Sequence, residues 1–172
     1  MVRRKYWLFA AVAVSVLWIS GCDDEQLSKI PLMAHYHFTA ECTYCDVQVD
    51  RSKITYTYYE PDRERCERWL IQGPCWTAKE LKTARGTLSN RECRELADVI
   101  AQTGFLNLKD TYGGEGEGGR YYPYVLEVTV GDETKRVEYR SFPDATPMPD
   151  ALVKVREKLF ELVHSKFHKE CG

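Results

Sequence analysis

Tyr122-Pro123-Tyr124-Val125-Leu126-Glu127-Val128-Thr129-Val130-Gly131-Asp132-Glu133-Thr134-Lys135-Arg136-Val137-Glu138-Tyr139 is the stretch on which the fold turns. Tyr122, Tyr124, Leu126, Val128 and Val130 alternate without a break, and a period of two puts all five on one face of a strand. Gly131 to Thr134 interrupts the pattern with turn residues, after which Val137 and Tyr139 resume it. Two strands this close in sequence form an antiparallel hairpin.

Downstream, Pro143, Pro147 and Pro149 make a stiff linker, and Asp150 is placed to cap a final helix. Leu152, Val155, Leu159, Leu162 and Val163 recur at three- and four-residue spacing, the apolar stripe of a helix lying on a sheet. Upstream, Tyr112 to Gly119 holds five glycines and reads as a loop, because glycine carries the largest entropic penalty for ordering. Before it, Ser89 and Glu92 have capping-box spacing, Leu96, Val99 and Ile100 supply a stripe, and Gly104 stands where a helix stops. This predicts a helix over 90–103, after which Phe105 and Leu106 return the chain to the core.

Nearer the N-terminus, Tyr36 and Phe38 alternate with His35 and His37, predicting a strand over 34–40 with the histidines on the opposite face from the aromatics. Val47 and Val49, then Ile54, Tyr56 and Tyr58, predict a second hairpin around a four-residue turn, Asp50 to Lys53. Residues 60–86 lack periodicity and read as a cysteine-tethered excursion of one or two helical turns, with Trp69 and Trp76 needing cover. Strands, helix, strands, helix with hairpin connections predict an α+β domain: a small antiparallel sheet of two hairpins under two helices, stabilised by disulfides.

The first 33 residues concern address. Arg3, Arg4 and Lys5 precede an uncharged run from Trp7 to Ile19, shorter than the roughly 20 residues a membrane-spanning helix needs and right for a signal segment. Ile19-Ser20-Gly21-Cys22 resembles the lipobox of bacterial lipoproteins. That likeness implies cleavage after Gly21 and lipid on Cys22, with residues 22–33 as lipidated cysteine and tether, 34–168 as one domain and 169–172 as a tail. Asp23 behind the cysteine resembles the signal that retains some lipoproteins on the outer face of the cytoplasmic membrane. Removing residues 1–21 takes Arg3, Arg4 and Lys5 with it and moves the formal charge from −2 to −5. Nucleic acid is therefore not an expected partner, since backbone binding needs concentrated positive charge.

With Cys22 assigned to lipid, Cys42, Cys45, Cys66, Cys75, Cys93 and Cys171 remain. An even number in an oxidising compartment predicts structural disulfides, with connectivity open. The expectation is that Cys42 and Cys45 bond to Cys66, Cys75 or Cys93 rather than to each other, while Cys171 fixes the tail. A zinc site combining Cys42 and Cys45 with two of Cys66, Cys75, His35 and His37 is the competing reading. A redox pair Cys42/Cys45 is disfavoured because a strand, not a helix N-terminus, follows. His164 and His168 share a helix face but read as solvated, and Asp110, Glu115 and Glu117 do not have calcium-loop spacing. No serine-nucleophile or phosphate-loop pattern occurs, so neither an enzyme nor a cofactor is expected.

The order of Cys42 and Cys45, hairpin, helix at Leu88-Ser89, the phrase Gly104 to Tyr112, the hairpin carrying Lys135-Arg136-Val137 and the proline before the last helix resembles a family of small uncharacterised bacterial envelope lipoproteins. In element order the chain more distantly resembles emfourin-type protein inhibitors of metalloproteases. The resemblance supplies no catalytic residue. The expected function is that of a membrane-anchored, extracytoplasmic protein-interaction or inhibitory module, with Tyr112, Glu115, Glu117, Arg120 and Tyr121 as its contact loop. A structural or accessory envelope protein without a discrete site is the alternative, followed by an enzyme or a metal-binding protein.

Overall fold

The computed structural model describes residues 31–71, 73–114, 122–142 and 145–171. Cys22, Asp23, Glu115, Glu117, Arg120 and Tyr121 lie outside them. The expected α+β architecture is present, with one seven-stranded, mostly antiparallel sheet among the described residues.

Strand β1, Leu32–Thr39, begins two residues ahead of the predicted start because Leu32 extends the buried row Ala34, Tyr36 and Phe38. β2, Tyr44–Asp50, and β3, Lys53–Tyr58, form the first hairpin. Its turn is tighter than predicted: Asp50 pairs with Lys53, leaving Arg51 and Ser52 between them. Arg51 takes the left-handed φ of 54° that a two-residue hairpin loop favours at its first position. Its N–H donates to the Leu32 carbonyl at 2.8 Å, which ties that turn to β1.

Residues 60–86 are more ordered than their sequence implies. The helical turn α1, Arg63–Glu67, is capped by Asp62, and the segment ends in an unpredicted strand β4, Lys82–Thr87. β4 is an edge strand, so only one side of it meets a neighbour and the apolar alternation of a central strand is not required. Gly86 faces the Phe167 ring, where an added Cβ would approach ring carbon Cε1 to 3.2 Å.

Helix α2, Asn90–Thr103, matches its prediction. Ser89 and Glu92 complete a reciprocal capping box, and Gly104 ends the helix at φ 67°. The following 3-10 turn buries Phe105 completely. The chain then enters β5, Thr111–Gly113, so Tyr112 belongs to a strand rather than a loop and pairs in parallel with β7. β6, Pro123–Val130, and β7, Glu133–Arg140, make the second hairpin. Helix α3, Asp150–Phe167, buries all five predicted stripe residues. Asp150 is not its cap. Pro149 holds that position without a side-chain bond, and Asp150 is the first helical residue, where a carboxylate favours the positive end of the helix dipole.

The sheet order is β4-β3-β2-β1-β6-β7-β5, with β1 joining the two hairpins. Tyr36, Val47, Ile54, Tyr56, Leu126, Val128 and Val137 point to one face and pack with Leu96 and Ile100 of α2 and the α3 stripe. Tyr36 meets Phe160 of α3 edge-on at 5.1 Å. Each such fully buried aliphatic side chain contributes about 1.5–3 kcal/mol through area removed from water.

Among the described residues two disulfides form, Cys42–Cys66 and Cys45–Cys171, with Cα separations of 5.9 and 5.7 Å. As expected, Cys42 and Cys45 are not joined to each other and Cys171 fixes the tail. The partner of Cys45 differs from the expectation: Cys66 and Cys75 cluster with Cys42, and Cys93 sits beside Arg51 past the far end of β2, so it is the returning C-terminus that meets Cys45. Tyr56 OH donates to the Glu170 carbonyl at 2.9 Å beside this bond. Among the described residues, no helix is long and apolar enough to cross a membrane.

Candidate functional site

The sheet's other face carries polar side chains. Alternation places His35 and His37 of β1 there, and Asp46 and Gln48 of β2 join them because His37 pairs with Asp46 and His35 with Gln48. Asp46 is the only polar or charged residue among the described ones that is buried, its side chain 9% exposed. Its Oδ2 lies 2.8 Å from His35 Nε2 and 2.9 Å from His37 Nδ1. Gln48 Nε2 donates to the other oxygen, Oδ1, at 2.8 Å. A carboxylate taken this far from water needs such partners, because an unpaired buried charge is strongly unfavourable.

Electrostatics follow the geometry. Burial alone would push the Asp46 carboxyl up, but the bonds from His35 and His37, the charge of His35 and the Gln48 amide together hold it well below the usual carboxylate range. His35 is pushed up from its ordinary value, first by its hydrogen bond to Asp46, against partial burial, with further help from the charges of Asp46 and Glu127. Glu127 of β6 sits opposite His35 in register. Burial and the Asp46 charge raise Tyr44.

The excursion roofs one end of this face. His37 meets Tyr44 edge-on at 5.5 Å, and Tyr44 meets Trp76 edge-on at 4.9 Å. Trp76 Nε1 donates to the Ala40 carbonyl, and the Cys75 N–H to that of Glu41, so the turn between β1 and β2 anchors residues 75–76. Behind them is a three-sulfur cluster. The buried Cys75 thiol lies 3.2 Å from Cys42 Sγ and 3.4 Å from Cys66 Sγ.

Two groups of metal-capable atoms thus occur among the described residues, Cys42/Cys66/Cys75 and His35/His37/Asp46, each with donor atoms within 4.8 Å of one another. Neither is the zinc set expected from sequence. Cys45 is taken by Cys171 on the opposite face, and Cys42 and Cys66 are oxidised to each other. Cys93 is unbridged, with its thiol donating to the Arg51 carbonyl. His164 and His168 stack edge-on at the end of α3, and neither belongs to such a group. Asp110 is engaged by Lys135 at 2.5 Å, and Glu115 and Glu117 lie outside the described residues. Of the proposed contact loop, Tyr112 packs against the core and accepts a bond from the Lys109 N–H, and the other four residues fall outside the described set.

Asp46 and Gln48 were missed in the sequence, although a signal was present. With Val47 and Val49 assigned to the core, parity puts Asp46 and Gln48 on the face of His35 and His37. Comparison with protein-family models finds no match, and no curated protein matches the chain.

Proposed function

We propose that the chain is an extracytoplasmic lipoprotein, held at a membrane by lipid on Cys22, whose domain is a protein-interaction module. Its contact surface is the polar face of the central strands, centred on His35, His37, Asp46 and Gln48. One observation carries the reading: both long helices cover one side of the sheet, while the other side holds a buried carboxylate fixed by three polar side chains under half-exposed imidazoles. Core packing does not require such an arrangement, and fixed aromatic and titratable groups at an open surface suit recognition.

The address has separate support. The basic start, short apolar run and Cys22 favour export and acylation, two disulfides fit an oxidising compartment, and the likeness to small envelope lipoproteins points the same way. The reading is a binding one and assigns no catalytic step.

Two measurements test it. Radioactive fatty acid should label the wild-type protein and not Cys22→Ser. Immobilised protein should retain a saturable partner from envelope extract, and Gln48→Arg with His37→Ala should abolish retention. Label on the Cys22→Ser protein defeats the anchoring assignment, and retention unaffected by the double substitution defeats the assignment of the face.

A further inference from the structure

Three side chains on adjacent strands aim at one point. His35 and His37 lie two residues apart on β1 and Asp46 faces His37 from β2, so the backbone register converges two ring nitrogens on one carboxylate oxygen at 2.8 and 2.9 Å. A tetrahedral zinc ion with bonds of about 2.0–2.2 Å to nitrogen and oxygen sets its donors about 3.4 Å apart. Each imidazole then swings back by roughly half an ångström, a side-chain rotation with no change of register.

The surroundings match those of a metal ligand set. Gln48 holds the far oxygen of Asp46 and so aims the near one at the imidazoles, the orienting role that outer hydrogen bonds play around metal ligands. The carboxylate is buried at the floor while the histidine side chains are 46% and 35% exposed, which leaves an entry path and open coordination positions for water or a partner's side chain. Glu127, across from His35, adds a second negative charge. Arg136 stands opposite Glu127 but pairs with Glu138 at 3.8 Å.

We propose that His35 Nε2, His37 Nδ1 and Asp46 Oδ2 form a binding site for a divalent transition-metal ion, with Gln48 as the positioning residue for Asp46. Two imidazoles and one carboxylate favour ions such as zinc over calcium or magnesium, which prefer all-oxygen sets. On binding, the ring nitrogens that face Asp46 offer lone pairs in place of hydrogens, and each neutral ring carries its hydrogen on its other nitrogen. Three protein ligands leave the ion unsaturated, so a donor from another molecule can complete it. The site stands on its own whether or not the face also engages a protein partner.

The test uses the full chain, chelator-treated in detergent micelles, titrated with Zn²⁺ against a chromophoric competitor. One ion per chain is expected. His37→Ala and Asp46→Ala should each weaken binding at least about tenfold, and Gln48→Ala by about ten- to a hundredfold. His35→Gln with His37→Gln, which keep the size and polarity of the face, should remove the site while leaving the far-ultraviolet spectrum unchanged. Cys75→Ser, Cys93→Ser and His164→Ala should bind as the wild type does. Co²⁺ in place of zinc should give ligand-field bands without thiolate charge transfer. No stoichiometric binding at micromolar Zn²⁺, or affinity retained in the double glutamine variant, overturns the proposal.

Discussion

The Cys75 thiol lies 3.2 Å from Cys42 Sγ although Cys42 is bonded to Cys66. A buried thiol against a disulfide is a ready substitute partner, because exchange needs only a thiolate in reach of a bonded sulfur. Peptide mapping of the oxidised protein, alkylated without reduction, should give Cys42–Cys66, Cys45–Cys171 and two alkylated thiols, Cys75 and Cys93. In Cys66→Ser refolded with oxidised glutathione, Cys75 should bond Cys42 and restore two disulfides. A Cys66→Ser protein that keeps Cys42 and Cys75 both free would contradict this geometry.

The Cys45–Cys171 bond closes a loop with a sequence separation of 126 residues. In the chain-entropy model a loop of that length stabilises by about 5 kcal/mol, against about 3.5 for the 24-residue separation of Cys42–Cys66. Cys171→Ser should therefore lower stability in urea more than Cys66→Ser, part of whose loss Cys75 can recover. Equal losses would indicate that the tail is not held as described.

Gly113 holds φ 93° where β5 runs against the backbone of Arg140. Any Cβ there collides with the Arg140 carbonyl. Gly113→Ala should cost about 1–3 kcal/mol through backbone strain alone, and amide exchange should rise first at residues 111–114, where β5 leaves the sheet edge. A neutral effect on the melting temperature would contradict the parallel pairing of β5 with β7.

Glu92 couples α2 to α3. Burial opposes its charge, but Lys166 of α3 and the Ser89 N–H and hydroxyl bring its carboxyl down from 4.5 to about 2. Because the folded value is the lower one, this group's contribution is complete above its ordinary value and fades as pH falls toward about 2. The stability difference between wild type and Glu92→Gln should be full near about pH 7 and shrink below about pH 4. A difference that stays constant through the acid range would rule out the Lys166 pairing.

What the sequence discloses depends on whether a signal is local. Helix α2 was readable to the residue because Ser89, Glu92 and Gly104 each satisfy or terminate the helix from within a few positions. The α3 stripe and the alternations at 34–40, 45–58 and 122–139 were readable for the same reason. β4 was not, since Lys82, Ala84 and Gly86, the positions that share the inner face, include no large apolar side chain, and the segment takes its strand form from pairing with β3. β5 is three residues long and is created by β7. The Cys45–Cys171 bond joins the two ends of the domain, and nothing in local spacing encodes it. The Asp46 cluster lies between these cases: its parity was legible, while the convergence of His35 and His37 on one oxygen required the cross-strand register.

If the polar face of the sheet is the working surface of an anchored domain, a partner sits against it at the membrane. A photoactivatable cross-linker placed in intact cells at Thr55, which pairs with Gln48 across β2 and β3 without holding Asp46, should capture it, with exposed Glu157 of α3 as the control position. A discrete protein adduct is expected from position 55, lost with Cys22→Ser and absent from position 157. Adducts from position 157 with none from position 55 would overturn the assignment of the face.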